Sequence, residues 1–228
     1  MHLLVYWLCM KYFHSRAEAG EQLAREMFEK YRYENVALIA LGNGGVAVGE
    51  PIAEQLHCIL TLLLSEKVEV PGESQTCGGV SSSGQFSYNS DIAASEVNAY
   101  NEEFHGYLEE QKREAFHRIN RLIGDGGVID QALLQDHTII LVSDGLNDAT
   151  ILDVAMDFLK PVRVQKLVIA APIANVRMVD KVHLIADELH ILDVKDNYLD
   201  TNHYYDQNDL PTEEETIAKI NQIVLNWR

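Results

Sequence analysis

Two aspartates and a threonine lie within eight residues of one another, directly after an apolar run, in the segment TIILVSDGLNDAT that starts at Thr138. The apolar run at 139–142 has the length of a buried strand, and the residues that follow have helical spacing. Open α/β sheets bind ligands where the carboxyl end of a strand meets the N–H groups of the next helix. We therefore predict a site in residues 143–150, the central loop, which consists of Ser143, Asp144, Gly145, Leu146, Asn147, Asp148, Ala149 and Thr150.

A second turn of this kind follows the apolar run at 36–41, where Gly42, Asn43, Gly44 and Gly45 precede a predicted helix at 46–56. Glycines let backbone N–H groups approach an anion closely, although a glycine-rich turn is also an ordinary connection between a strand and a helix. The spacing differs from that of a P-loop, because no Gly-Lys-Ser/Thr follows.

The composition favours one domain that binds a small molecule. The 228 residues, 47% of them hydrophobic, can bury one full core, and without an internal repeat or linker we predict one domain over 1–228. The net charge of −17 argues against a nucleic-acid partner, since such binding needs clustered Lys and Arg. The three cysteines, Cys9, Cys58 and Cys77, show no CxxC spacing. This usage favours a reducing cytoplasm over a disulfide framework or a zinc site.

The apolar residues 1–9 are too few to cross a bilayer, and no basic segment or cleavage site accompanies them. We predict that they are an extra N-terminal segment, that the protein does not bind membranes, and that translation starts at either Met1 or Met10.

The remaining elements alternate between strands and helices, which predicts an α/β fold with a doubly wound, mostly parallel sheet. Ser15 and Glu18 form a capping-box pattern before a helix that extends to about residue 31, and Thr212 and Glu215 repeat that pattern before a final helix. Asn175 has the position of a helix cap, and residues 183–192 have strand composition.

Residues 76–123 are predicted to form an insertion made of a small hairpin and a long helix. The hairpin covers 76–89 with Ser82, Ser83 and Gly84 in its turn, and the amphipathic helix covers about 94–123. The apolar face of this helix packs either on the body of the protein or on a second subunit, which makes a homodimer possible.

Several segments, taken together and in order, resemble a branch of predicted bacterial type I phosphoribosyltransferases. The segments are FHSRAEAG, LGNGGVAV and SEKVEVPG, where the branch reads roughly F-x-D-R-x-x-A-G, L-P-R-G-G-V-P-V and V-R-K-x-G-x-P-x. The match continues through 170–174, 186–188 and 204–206, so it covers residue 11 to nearly the C-terminus.

This resemblance implies a phosphoribosyltransferase-type sheet with a hairpin flap. It also implies transfer of ribose-5-phosphate from phosphoribosyl pyrophosphate to a nitrogenous acceptor, with Mg²⁺ on the pyrophosphate. Asn43, Gly44 and Gly45 would form the pyrophosphate loop, Lys67 and Asp144 would be catalytic, and the central loop would hold the 5′-phosphate. Tyr204 and Tyr205 would pack either over the base or on the surface.

The chain departs from the family at several of these positions. Asn43 replaces an arginine, Glu66 replaces a basic residue, Ser143 replaces an acid, and the central loop is about one residue short and lacks Thr-Gly. A carboxylate at Asp148 about 5 Å from a phosphate would cost about 3 kcal/mol at an effective dielectric of about 20. Either Mg²⁺ held by Asp144 and Asp148 reverses this repulsion, or the protein is a catalytically silent module that binds a nucleotide or phosphosugar.

A third interpretation comes from DGLND, which resembles the magnesium motif of haloacid-dehalogenase-like phosphatases. Those enzymes need an aspartyl nucleophile in a D-x-D-x-[TV] motif, which this sequence does not contain. The phosphoribosyltransferase resemblance is therefore preferred. If the central loop does hold a phosphate, the remaining donors are the N–H groups of residues 147–150 and the Thr150 hydroxyl, so Thr150→Val would weaken binding.

Overall fold

The computed structural model describes residues 12–73, 75–123 and 131–226. The predicted extra segment at 1–9 lies outside these ranges. The helices and strands are, in order, α1 (Arg16–Tyr31), β1 (Val36–Leu41), α2 (Gly42–Leu56), β2 (Ile59–Leu63), β3 (Ser65–Glu69), β4 (Thr76–Ser81), β5 (Phe86–Tyr88), α3 (Ala94–Glu103), α4 (His105–Ile123), β6 (Thr138–Val142), α5 (Ala149–Leu159), β7 (Lys166–Asn175), α6 (Val176–His183), β8 (Glu188–Lys195) and α7 (Glu213–Asn226).

The main sheet contains five parallel strands in the order β2-β1-β6-β7-β8. Alternate residues of each strand point to opposite faces. Leu38 and Ala40 of β1 pack against α1 and α2, whereas Ile39 and Leu41 pack with α5 and α6. Strands that are buried on both faces must be apolar throughout, which explains the continuous hydrophobic runs in the sequence. The predicted doubly wound α/β fold is confirmed.

The predicted helix caps are confirmed as well. The Ser15 side chain accepts a hydrogen bond from the Glu18 N–H at 3.1 Å, and Asn175 caps α6 by accepting one from the Arg177 N–H. Thr212 and Glu215 bond each other's backbone N–H groups reciprocally. Each cap satisfies N–H groups that a helix leaves unpaired, and thereby fixes where the helix begins.

Two predicted boundaries were wrong. The glycines after β1 belong to the first turn of α2, which begins at Gly42 and not at residue 46; Gly42 has φ +79°, which lets the chain turn directly from strand to helix. The predicted strand at 183–192 begins too early, because residue 183 is still the last residue of α6. The buried Met178 and Val182 of α6 are four residues apart, as on one face of a helix. The strand β8 covers Glu188–Lys195 instead.

Residues 76–123, which were predicted to form an insertion, supply β4, β5, α3 and α4, and β4 and β5 form a second, small antiparallel sheet with β3 in the order β3-β4-β5. The predicted hairpin is present, with β4 and β5 joined through residues 82–85. The predicted long helix is divided, since Phe104 (φ −114°, ψ 18°) ends α3 and α4 starts one residue later. Tyr100 of α3 and Leu108 of α4 both lie in the hydrophobic core between these helices and the second sheet.

The small sheet lies between α4 on one face and α5 on the other. Three polar links connect the small sheet and the turn after β5 to α5 and α6: Ser87 Oγ donates to Asp157 at 2.5 Å, the Ser90 N–H donates to Asp153 at 2.8 Å, and Lys181 pairs with Asp91 at 2.8 Å. The core shared with α3 and α4 is a separate hydrophobic cluster. No helix in the described part of the chain is long and apolar enough to cross a membrane.

Candidate functional site

The central loop lies at the carboxyl edge of the main sheet, between β6 and α5. Its middle is attached to the neighbouring strand, because the Leu146 N–H donates to the Ile173 carbonyl at 2.9 Å and the Asn175 N–H donates to the Leu146 carbonyl at 2.8 Å. Leu146 is buried in the core, while Asn147 is exposed. The loop is therefore extended beside β7 up to Leu146.

Asp144 forms an ion pair with Arg16, whose Nε lies 2.8 Å from Oδ2 of Asp144. The Asp144 side chain is 17% exposed and that of Arg16 is 1% exposed. On its other side, Asp144 lies directly against Gly44, where an added Cβ would be 2.0 Å from Oδ2. The structure thus brings together the two predicted loops, and Gly44 is needed because of this close approach.

Arg16 is held by further partners from the C-terminal part of the chain. Its Nη1 lies 3.2 Å from Oδ1 of Asp209, its Nη2 donates to Oδ1 of Asn202 at 2.5 Å, and its guanidinium stacks 4.5 Å from the centroid of the Tyr205 ring. The Tyr205 hydroxyl donates to the Asp144 carbonyl at 2.6 Å. Burial raises the pKa of Asp144, and the charge and hydrogen bond of Arg16 act in the opposite direction.

Asp148 is the N-cap of α5. Its Oδ1 accepts a hydrogen bond from the Thr150 N–H at 2.7 Å, and its Oδ2 forms an ion pair with Lys67 of β3. Burial opposes ionisation of Asp148, but hydrogen bonds from Lys67 and Thr150 outweigh it and lower the pKa. The position at which a phosphate would meet the N-terminus of α5 is therefore occupied by the chain's own carboxylate.

The rest of the loop is largely covered. Thr150 is 2% exposed, and its hydroxyl lies near Asp148 but makes no hydrogen bond of normal geometry with any residue in the described ranges. Ser143 donates to the Gly145 carbonyl at 3.0 Å, and a Cβ on Gly145 would lie 2.2 Å from the Tyr198 hydroxyl. Tyr198 thus lies directly over the central loop.

The N-terminus of α2 differs from that of α5. Its N-cap residue, Leu41, has no polar side chain, and its first turn contains Asn43, Gly44 and Gly45 with no acidic residue. Asn43 is partly exposed, whereas Gly44 and Gly45 are buried. Unpaired N–H groups and the helix dipole make such a terminus attractive to an anion.

The predicted magnesium ligands do not form a resident metal site. Within residues 12–73, 75–123 and 131–226, no three or more His, Cys, Asp or Glu side chains are grouped so that they could hold a metal ion. Asp144 is paired with Arg16, and Asp148 with Lys67. Because a cation partner already neutralises each carboxylate, the two residues do not fit a bound Mg²⁺.

Sequence reasoning missed Arg16, although this residue joins the central loop to the C-terminal part of the chain. A signal was present, since Arg16 is spaced from Gly20, Leu23 and Met27 as on the apolar face of α1. An arginine at a buried position must be paired, so this spacing predicts an acidic partner. The predicted alternative that Tyr204 and Tyr205 lie on the surface is wrong, since both are buried and Tyr205 lies beside Arg16.

The sequence model of the phosphoribosyl transferase domain matches residues 12–205. This chain therefore belongs to the phosphoribosyl transferase domain family. The resemblance noted in the sequence is confirmed.

Several solved structures are similar to this chain. The crystal structure of TT1426 from Thermus thermophilus has a TM-score of 0.70 at 22% identity, covering 95% of this chain and 99% of that one. A purine phosphoribosyltransferase from Pyrococcus horikoshii Ot3 has a TM-score of 0.45 at 12% identity, covering 89% and 97%. A hypoxanthine phosphoribosyltransferase from Staphylococcus aureus has a TM-score of 0.45 at 11% identity, covering 79% and 72%. At 22% identity the likeness to TT1426 concerns the fold alone.

Proposed function

We propose that the protein binds a nucleotide or phosphosugar at the carboxyl edge of the main sheet and acts as a binding module that does not transfer phosphoribosyl groups. The observation that carries this proposal is the carboxylate of Asp148, which caps α5 and pairs with Lys67 where a 5′-phosphate would otherwise be held. A phosphate at that position would have to displace an ion pair and a helix cap, each of which stabilises the closed loop.

In this proposal the ligand's phosphates bind at the first turn of α2, which has no side-chain cap and no acidic residue of its own, and the Asp144 carboxylate beside it is paired with Arg16. The sugar hydroxyls donate to Asp144, which lies against Gly44 of the same turn. The family's magnesium would arrive with the ligand's own phosphates, since Asp144 and Asp148 are both paired within the protein. The sequence allows a homodimer and favours a cytoplasmic location, and both remain part of the proposal.

A matched pair of variants tests where the phosphate binds. Asn43→Asp adds one negative charge at the first turn of α2, and Asn147→Asp adds the same charge beside the N-terminus of α5. Calorimetry with phosphoribosyl pyrophosphate should show binding weakened about tenfold or more by Asn43→Asp, with little change for Asn147→Asp. The reverse pattern would place the phosphate at α5 and remove the basis of the proposal.

The second candidate is an active phosphoribosyltransferase, and Thr150 favours it. Its hydroxyl is buried without a normal hydrogen bond at the N-terminus of α5, and a phosphate could become its partner if the loop opened. Pyrophosphate release assayed with a panel of nitrogenous bases distinguishes the candidates. Release above the background of an Asp144→Asn variant would support the enzyme, and its absence with every base would support the binding module.

A further inference from the structure

The contacts of Arg16 join three parts of the chain that are far apart in sequence. Arg16 opens α1, Asp144 belongs to the central loop, and Asn202 and Asp209 belong to the C-terminal segment. The backbone N–H of Arg16 also donates to Asp209 Oδ2 at 3.0 Å, so Asp209 binds both the main chain and the side chain of the same residue. These bonds give the guanidinium one fixed position.

The position of Arg16 in turn fixes the Asp144 carboxylate. Asp144 lies in a slot between the Arg16 guanidinium and Gly44, and the Tyr205 hydroxyl holds its main-chain carbonyl. A planar guanidinium can donate to an aspartate, a second aspartate and an amide at once, whereas a lysine ammonium acts as a point charge without this geometry. The arrangement therefore depends on the shape of the arginine fork as well as on its charge.

We propose that Arg16 is a positioning residue, which orients Asp144 for the ligand and makes ligand recognition depend on the C-terminal segment through Asn202 and Asp209. This inference rests on the proposed role of Asp144 in contacting sugar hydroxyls. It adds that the central loop and the C-terminal segment are connected through the hydrogen bonds of one buried arginine, Arg16. Loosening Asp209, which lies 193 positions from Arg16 in the chain, should then weaken binding without touching the ligand.

The test measures phosphoribosyl pyrophosphate binding by calorimetry in Arg16→Gln, Arg16→Lys, Asp209→Asn and the control Arg25→Gln. Arg25 lies on the same helix, is 62% exposed and pairs with Glu21. We expect about tenfold or greater loss for Arg16→Gln, a similar loss for Arg16→Lys, a smaller loss for Asp209→Asn, and no loss for Arg25→Gln. Full binding by Arg16→Lys would overturn the role of the fork.

A double-mutant cycle separates positioning from general structural damage. If Arg16 acts through Asp144, adding Arg16→Gln to Asp144→Asn should cause no further loss of binding. An equal loss in both backgrounds would overturn the proposal. Asp209→Asn retains the buried arginine and its charge, so it keeps the test decisive if the Arg16 variants do not fold.

A measurement without ligand distinguishes a failure of this inference from a failure of the proposed function. If the wild-type protein does not bind phosphoribosyl pyrophosphate, the proposed function fails, but the positioning of Asp144 can still be read from the backbone amide NMR signals of Gly44 and Gly145. Asp209→Asn should move both signals, and Arg25→Gln should leave them in place. Unchanged signals in Asp209→Asn would overturn the connection between the C-terminal segment and the site.

Discussion

Lys67 and Asp148 form an ion pair across 81 residues of sequence, and this pair joins the small sheet to the N-terminus of α5. Lys67 was expected to meet the ligand and Asp148 to repel it or hold a metal. Their pairing gives each residue a partner within the protein. The free energy of ligand binding at α5 therefore includes the cost of separating them.

The first prediction concerns Asp148→Asn. Asparagine caps a helix about as well as aspartate, so this change keeps the cap while it releases Lys67 and removes a negative charge. We expect phosphoribosyl pyrophosphate to bind with unchanged or up to about tenfold higher affinity in calorimetry. Asp148→Ala is the control that also loses the cap, and it should lower the free energy of unfolding by about 1 kcal/mol. Weaker binding by Asp148→Asn would contradict the expectation and restore a ligand role to this carboxylate.

The second prediction concerns Thr150→Val, which replaces a buried hydroxyl by a methyl group of similar size. Because that hydroxyl has no normal hydrogen bond among the described residues, its removal should raise the free energy of unfolding by about 1 kcal/mol in urea titrations. Ligand affinity should stay the same in the binding module. A tenfold or greater loss of affinity would instead indicate that the loop opens and that Thr150 binds a phosphate.

A third prediction follows from the contact between Gly44 and Asp144. Gly44→Ala would place a Cβ 2.0 Å from Oδ2 of Asp144, so the carboxylate must move and its bond with Arg16 must lengthen. We expect both ligand affinity and the melting temperature to fall. The matched control is Gly106→Ala in α4, where nothing lies within 4 Å of the added atom. That change should stabilise the protein by about 0.5–1 kcal/mol. A neutral Gly44→Ala would show that Asp144 is not confined.

The fourth prediction concerns pH and Glu188 at the start of β8. Burial alone would raise the pKa of Glu188, but hydrogen bonds from Lys30, Tyr31 and Lys166 outweigh it and lower the pKa from 4.5 to about 2. A lowered carboxyl pKa contributes stability that is present above 4.5 and is lost as the pH falls towards 2. The difference in free energy of unfolding between the wild type and Glu188→Gln should be clear at about pH 6.5 and smaller at about pH 3. A constant difference would contradict the assignment.

A fifth prediction addresses magnesium. Since Asp144 and Asp148 are each neutralised by a basic residue, Mg²⁺ alone should produce no binding heat and no shift in melting temperature. Phosphoribosyl pyrophosphate should bind more tightly in millimolar Mg²⁺ than in EDTA, because the ion reduces the charge of the pyrophosphate. Asp148→Asn should leave this ratio unchanged. A loss of the magnesium effect in that variant would identify Asp148 as a ligand.

The sequence predicts much of the main sheet because its strands are buried on both faces and their apolar runs are unmistakable. The bounds of β1 agree with the predicted 36–41, and the capping residues Ser15, Asn175 and Thr212 lie where their side-chain chemistry places them. These features depend on interactions between residues that are close together in the sequence, so the residue types and their spacing predict them.

Features that depend on contacts between residues far apart in the sequence were harder to predict. Four of the five residues of β3, SEKVE, are polar, so no apolar pattern marks this strand, which is hydrogen-bonded to β4. The division of the helix at Phe104 leaves no trace in the apolar spacing, which continues through Tyr100, Phe104 and Leu108. Arg16 was predicted as part of a helix, but its partners Asp144 and Asp209 come together only through the tertiary fold.

The small sheet has a hydrophobic core of its own, while polar links such as Ser87–Asp157 and Lys181–Asp91 attach it to α5 and α6. Such a unit can unfold cooperatively and separate from α5 while the main sheet stays folded. In native-state hydrogen exchange, the amides of β4 would then exchange faster in Ser87→Ala or Asp91→Asn, with those of β6 unaffected. Because Gly79 of β4 covers the Thr150 methyl, each detachment would uncover the start of α5. Access to that helix end would be governed by a local unfolding equilibrium.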